Sequence, residues 1–346
     1  MTTAPPALPS ATASASATAS PSPTPTLTAT PVPSPTAAAG FAILDGLPAA
    51  PDFANRLVAA VMIDDNVLAR PQYGFNQASI VYQAPADGGE DRYMLVFQTF
   101  DAPRVEPVRS GRPFFVNWAS EYQGGFAHYG GDRKTLTYLP TIDGRLIWDI
   151  DALKNGGSIF KRDPNRKIPH NAYTSSKQIR DRAIARGAEP TMPDGVGIRP
   201  FADDLPRAER PDLGAINVPY RRGASSYTYD PETNSYLRSV ARNPQVDAGD
   251  GERVTARNVV VMFQRLYIDP DSEPGHNRPA LDHIGTGRAL VFRDGIVIEG
   301  TWRKASASAL TRFFAPDGTE ITFVRGRIFI QVVDIGTAVT WDAKAR

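Results

Sequence analysis

The chain contains no cysteine in 346 residues. Disulfides, thiolate metal sites and a cysteine nucleophile are therefore excluded. Neither charge is in surplus: 38 Lys and Arg stand against 37 Asp and Glu, a net charge of +1. No global basic field recruits nucleic acid or an anionic membrane surface. No charged residue at all precedes Asp45, and that stretch lacks the basic n-region, apolar h-region and cleavage site of a secretory signal. An export signal, if the protein has one, is expected upstream of Met1.

What the first segment does contain is Ala, Thr, Ser and Pro, which make up nearly all of residues 1–44. With almost no large apolar side chains it cannot offset its ordering entropy, so a disordered stalk, stiffened locally by proline, is expected there. This composition suits a spacer between a membrane anchor and an exported domain, and suits a featureless arm equally well. Beyond it about 300 residues remain, which favours two domains.

Residues 45–200 read as an α/β domain. Leu57 to Ile63 is a continuous apolar run ending in Asp64, Asp65 and Asn66, as a buried strand ends where its loop begins. Ser79–Gln83, Tyr93–Phe100 and Phe126–Tyr129 are further strand candidates. Pro113 suits the first turn of a helix whose Phe114, Trp118 and Tyr122 form one apolar face. A second helix has Ser175 and Gln178 as a capping box, Ile179, Ala183 and Ile184 as its face and Gly187 at its end.

Residues 201–220 read as a linker rich in Pro, Gly and charge, and residues 221–346 as a β-rich α+β domain, mostly antiparallel. Ser225 to Val240 is expected to be a hairpin, Arg257 to Ile268 a long strand, and the sequences around Asp294-Gly295 and Gly326 two more hairpin turns.

The stretch VEPVRSGRPFF places Arg109 and Arg112 just before the expected helix start at Pro113. Helix N-termini at the carboxyl ends of α/β strands favour anions, and two guanidinium forks would strengthen that preference. Asp64 and Asp65 follow one strand, His128 ends another, and Gly130 and Gly131 permit close approach of backbone to a bound group. An anion-binding cleft of Asp64, Asp65, Arg109, Arg112, His128, Gly130 and Gly131 is the resulting expectation; internal ion pairing of the arginines with Asp64, Asp65 or Glu106 is the competing one. Arg92, at the beginning of its strand, is expected on the opposite edge. The lone Gly285-Thr286-Gly287, the incomplete frame around Gly157-Ser158 and the loop from Asp269 to Pro279, with Asp282 and His283, match no nucleotide, hydrolase or metal motif. His170 reads as a hydrogen-bonded loop histidine. No metal site or cofactor is expected from these residues.

The run VMIDDNVLARPQYGFNQASIVYQAPADGGEDRYMLVFQ, followed by PVRSGRPFF, AHYGG and PHNAYTS, closely resembles the YerB-like family of bacterial lipoproteins of unknown function. VVVMFQ and GRALVFRDGIVIEGTW resemble that family's C-terminal domain, and the likeness runs from about Arg56 to Ile335. It implies a two-domain, lipid-anchored, extracytoplasmic protein of the cell envelope. The chain departs from the pattern in lacking a lipobox cysteine and in carrying Ser79 and Gln83 where the family usually has acidic residues. Two functions follow as expectations. The first is a non-catalytic protein that binds an envelope protein or an anionic wall glycan in the α/β cleft. The second, on a loose likeness to the LytR-CpsA-Psr transferases, is a phosphoryl or glycan-phosphate transferase using Mg²⁺; Ser79, in place of a carboxylate, ranks it second.

Overall fold

The apolar runs anticipated as strands assemble into one mixed sheet. The computed structural model describes Met1 and residues 40–345; residues 2–39 of the expected stalk lie outside the described residues. Residues 40–44 belong to the fold. Ala42, Ile43 and Leu44 are buried, and the Leu44 N–H donates to Gln98 Oε1 at 3.0 Å, because this short apolar run supplies the burial that the segment before it lacks.

The main sheet has eleven strands. Ten are labelled here: β1 Ala59–Asp64, β2 Ile80–Pro85, β3 Asp91–Phe97, β4 Gly125–His128, β5 Trp148–Asp151, β6 Asn258–Gln264, β7 Gly285–Arg293, β8 Ile296–Lys304, β9 Arg312–Phe314 and β10 Ile328–Asp334. Their spatial order is β9-β8-β7-β6-β10-β2-β3-β1-β4-β5, with Lys344–Ala345 pairing beside β8. β10 lies parallel to both β6 and β2. Strands from both sides of the expected linker thus share one sheet. Within residues 201–220, Phe201–Ala202 pairs with Phe323–Val324 and Ala215–Val218 pairs with Ser225–Asp230.

Helices α1 (Pro113–Ala119) and α2 (Arg133–Ile142) cover one face of the sheet, burying Phe114, Phe115, Trp118, Leu139 and Ile142. Helix α3 (Ser176–Ala185) packs Ile179 and Ala183 on the other face. That second face is completed by a six-stranded sheet containing Ala215–Val218, Ser225–Asp230 and Ser235–Val240. The caps of α3 are as expected: Ser175 accepts from the Gln178 N–H at 3.2 Å, and Gly187 has φ 109°.

Two expectations for the C-terminal half are corrected. The turn at Gly326 does not close a hairpin: Phe323–Val324 pairs with Phe201–Ala202 while β10 leaves to lie between β6 and β2. Pairing in this half is mostly antiparallel, as expected, with the parallel β6–β10 pair set among antiparallel ones, since a strand buried on both faces is free to pair in parallel. The Arg257 to Ile268 run also breaks, giving β6 and a separate strand Leu266–Ile268 that pairs with Pro279–Leu281.

Candidate functional site

β1, β2, β4, β5, β6 and β10 all point the same way, with β3 antiparallel between β1 and β2. Their carboxyl ends form one rim, the position where open α/β sheets place ligands. Asp64, at the end of β1, is almost fully buried, and its Oδ2 is 2.9 Å from Arg109 Nε and 2.6 Å from His170 Nδ1. Asp65 turns the other way. Its Oδ1 accepts from Arg70 Nη2 at 2.7 Å and its Oδ2 from Gln83 Nε2 at 3.3 Å, and burial, partly countered by Arg70, pushes its carboxyl up.

Arg109 and Arg112 do not converge. Arg109 is 23% exposed, and Asp64 is its one carboxylate partner among the described residues. Arg112 is 4% exposed and points at Asp87 and Asp132: its Nε donates to Asp87 Oδ1 at 3.1 Å and lies 3.4 Å from Asp132 Oδ2, and its Nη2 meets Asp87 Oδ2. Burial, with the Arg278 charge beside it, pulls its guanidinium down to about 10 against the pull of Asp132. The separation is backbone geometry. Bridges Ile63↔Val108 and Gly111↔Gly131 hold the segment extended, and residues three apart on an extended chain face opposite sides.

His128 is fully buried, with Nε2 2.7 Å from Asp149 Oδ1 and Nδ1 2.8 Å from the Gly130 carbonyl. The Gly130 N–H donates to Asp151 Oδ1 at 2.9 Å, and Gly131 packs against Thr135. These three residues brace the turn from β4 into α2 and turn their polar groups inward.

Arg92 is on the same rim, contrary to the expectation of the opposite edge, because β3 runs against its neighbours and its first residues meet their last. Its Nη1 donates to the Ser110 carbonyl at 3.1 Å and its Nη2 lies 3.7 Å from Asp87 Oδ2. Burial first, then the nearby Arg109 charge, lowers its guanidinium to about 10. Arg278 completes the cluster with Nη1 2.9 Å from the same Asp87 oxygen. Asp87 sits in the loop joining β2 to β3, where Gly88 and Gly89 have φ 67° and 74° and supply a left-handed turn. Three guanidinium groups therefore surround one oxygen of one loop carboxylate.

The loop from Asp269 to Pro279, read as lacking any site, docks on the start of α2. Glu273 accepts from the Arg133 N–H at 2.9 Å and from Arg278 Nε at 2.6 Å; Arg278 first, and that N–H second, hold its carboxyl down to about 2. The start of α2, where partial positive charge favours an anion, is thus filled by Asp132 and Glu273 from within the chain. Asp87 and Arg278 were not singled out in the sequence; a polar residue before a Gly-Gly pair was the one available signal for Asp87, and Arg278 has none. Among the described residues no group of three or more Asp, Glu or His could hold a metal ion.

A sheet of this order, two sequence-defined halves joined through parallel central strands and a cluster of arginines at the carboxyl rim, is the setting in which the comparisons fall. The N-terminal domain of the family described as protein of unknown function (DUF3048) matches residues 44–189, and its C-terminal domain matches residues 216–330; the chain belongs to this family. It is 30% identical over 300 residues to "Putative lipoprotein YerB" of Bacillus subtilis (strain 168), covering 84% of this chain and 86% of that protein. The crystal structure of YerB protein from Bacillus subtilis superimposes with a TM-score of 0.76 at 27% identity, covering 87% of this chain and 99% of that one.

Proposed function

We propose that the protein acts at the cell envelope, as the lipoprotein name of its relative implies, and binds an anionic, phosphate-bearing wall glycan at the carboxyl rim. The supporting observation is the convergence of Arg92, Arg112 and Arg278 on the single carboxylate of Asp87. Asp87 is the carboxylate common to all three, with Asp132 and Glu273 pairing Arg112 and Arg278 from the outside, and planar forks of this kind match phosphate oxygens. Asp87 occupies the position a phosphate would take, on a Gly88-Gly89 loop whose backbone freedom lets it withdraw. Arg109, partly exposed beside Asp64 and His170, extends the positive rim. The transferase alternative has less support, because Asp64 and Asp65 diverge onto different arginines and offer no paired carboxylate for Mg²⁺.

Titration calorimetry and thermal melting in phosphate-free buffer test this reading. Asp87→Asn is expected to lower the melting temperature, because it strands the arginines, and pyrophosphate or glycerol phosphate is expected to restore it. Anion affinity is expected to rise at least tenfold over wild type as the internal competitor disappears. Arg278→Gln is expected to abolish binding in either background, and phosphorylated wall fragments are expected to bind where dephosphorylated ones do not. A folded Asp87→Asn protein that no anion stabilises would overturn the proposal.

A further inference from the structure

A cavity of about 590 Å³ opens on the same rim, between the ends of β2 and β10 and the strand Leu266–Ile268. Its walls are largely apolar, formed by Pro85, Tyr220, Leu266, Ile268, Pro279 and Val333. Its volume lies within the roughly 300–1,000 Å³ of small-molecule sites. The charged groups on its lining are unevenly disposed. Asp91 and Asp334 both line it, and neither forms an ion pair among the described residues. Asp91, at the start of β3, is 6% exposed and lies beside the Gln83 side-chain amide. Asp334, half-buried, accepts from the Leu266 N–H through Oδ1 at 2.9 Å. Arg221 is exposed at the outer wall, its side chain filling space that a Cβ at Gly89 would take.

We propose that this cavity binds an apolar ligand bearing a primary ammonium group, with Asp91 receiving the ammonium inside and Asp334 flanking it. A buried carboxyl without a cation is costly to ionise, and a ligand that brings its own cation supplies the missing partner while its apolar body covers the walls. An anionic ligand would meet two carboxyl groups, and a neutral one would form an ion pair with neither. The site goes beyond the anion reading: it stands on different residues, although Ala86, Gly88 and Gly89 belong both to its wall and to the loop that carries Asp87.

Proton linkage gives the test a second readout. Burial, and next Asp65, raises the Asp91 carboxyl well above the usual range, against Gln83, Arg70 and Arg238, and the hydroxyl-bearing rings of Tyr93 and Tyr220 face the same cluster. Asp91 is therefore more readily protonated in the empty site than an exposed aspartate, and an arriving ammonium favours release of that proton.

Titration calorimetry in phosphate-free buffer would compare 2-phenylethylamine, 2-phenylethanol and 3-phenylpropionate. The amine is expected to bind at least tenfold more tightly than the alcohol, and the propionate most weakly. Amine affinity is expected to rise by up to about tenfold per pH unit while Asp91 stays protonated in the free protein, and the alcohol's affinity to stay flat. Asp91→Asn is expected to remove both the amine preference and the pH slope. Thr337→Trp, which puts a bulky ring on the cavity lining and leaves Asp91 itself unchanged, is expected to abolish binding of all three and serves as the test if Asp91→Asn fails to fold. Equal affinities for amine and alcohol, an amine affinity insensitive to pH, or no binding by any probe would overturn the proposal.

Discussion

Arg109 and Arg112 lie three residues apart and belong to different environments, so their substitutions are expected to differ. Arg112→Gln removes a guanidinium that is 4% exposed and leaves the buried Asp132 without a cation, while Asp87 keeps Arg278 and Arg92, and is expected to cost about 3 kcal/mol of stability, as for a broken buried ion pair. Arg109→Gln leaves Asp64 hydrogen-bonded to His170 and to the Asn66 N–H and is expected to cost about 1–2 kcal/mol. Urea unfolding of both variants checks the order. Asp91 and Asp65 carry a pH signature of their own. Burial raises both carboxyls, so the folded chain keeps protons that the unfolded chain has already lost. Their contribution is full below the unfolded carboxylate pKa and is lost as pH rises towards the folded value. Asp91→Asn, being uncharged, escapes that loss. Its melting temperature is expected to exceed wild type at pH 7 and to match it near pH 4.

Among the elements, α3 was legible because it has a cap, an apolar face and a terminal glycine, whereas α2 was not. The α2 sequence RKTLTYLPTI carries three β-branched threonines and an internal Pro140, each unfavourable to a helix. What holds it is Asp132 at the N-cap, Glu273 on the Arg133 N–H from the other half of the chain, and burial of Leu139 and Ile142. Ser175→Ala is expected to cost about 1 kcal/mol, as for a lost N-cap, read from the urea midpoint at unchanged slope. β5 was equally hidden. Its WDID sequence has no apolar run, and its carboxylates are accommodated by His128 and by the Gly130 and Leu153 N–H groups, partners that only the folded sheet delivers.

Across the whole molecule, the placement of β10 between β6 and β2 ties the two sequence halves together. All but the last residue of β10 are buried, and removing residues 45–200 would expose one edge of an apolar strand, a site for aggregation. A 215–346 fragment is therefore expected to be insoluble or unfolded alone and to recover when co-expressed with 40–214, as judged by gel filtration. Limited proteolysis of the intact protein is expected to cut in the largely exposed stretch from Asp203 to Leu213 without separating the two pieces under native conditions, since the nicked halves still share a sheet. Among the described residues no helix is long and apolar enough to cross a membrane.

The sequence by itself determined the local features: most of the strands of the main sheet, the caps of α3, the hairpins at Ser225–Val240 and Asp294-Gly295, and the placing of Asp64, Arg109 and Arg112 at strand or helix ends. Each rests on hydrophobic period, cap chemistry or turn preference within about a dozen neighbouring residues. The tertiary structure alone decided which charged groups meet. Asp87 finds Arg278, Glu273 finds the start of α2, and Asp91 and Asp334 line one cavity, because β10 and the loop after β6 carry the C-terminal half onto the rim of the N-terminal strands. Parallel pairing of β10 with β2 joins residues 248 positions apart, Ile80 and Ile328, and no local periodicity encodes a contact of that range.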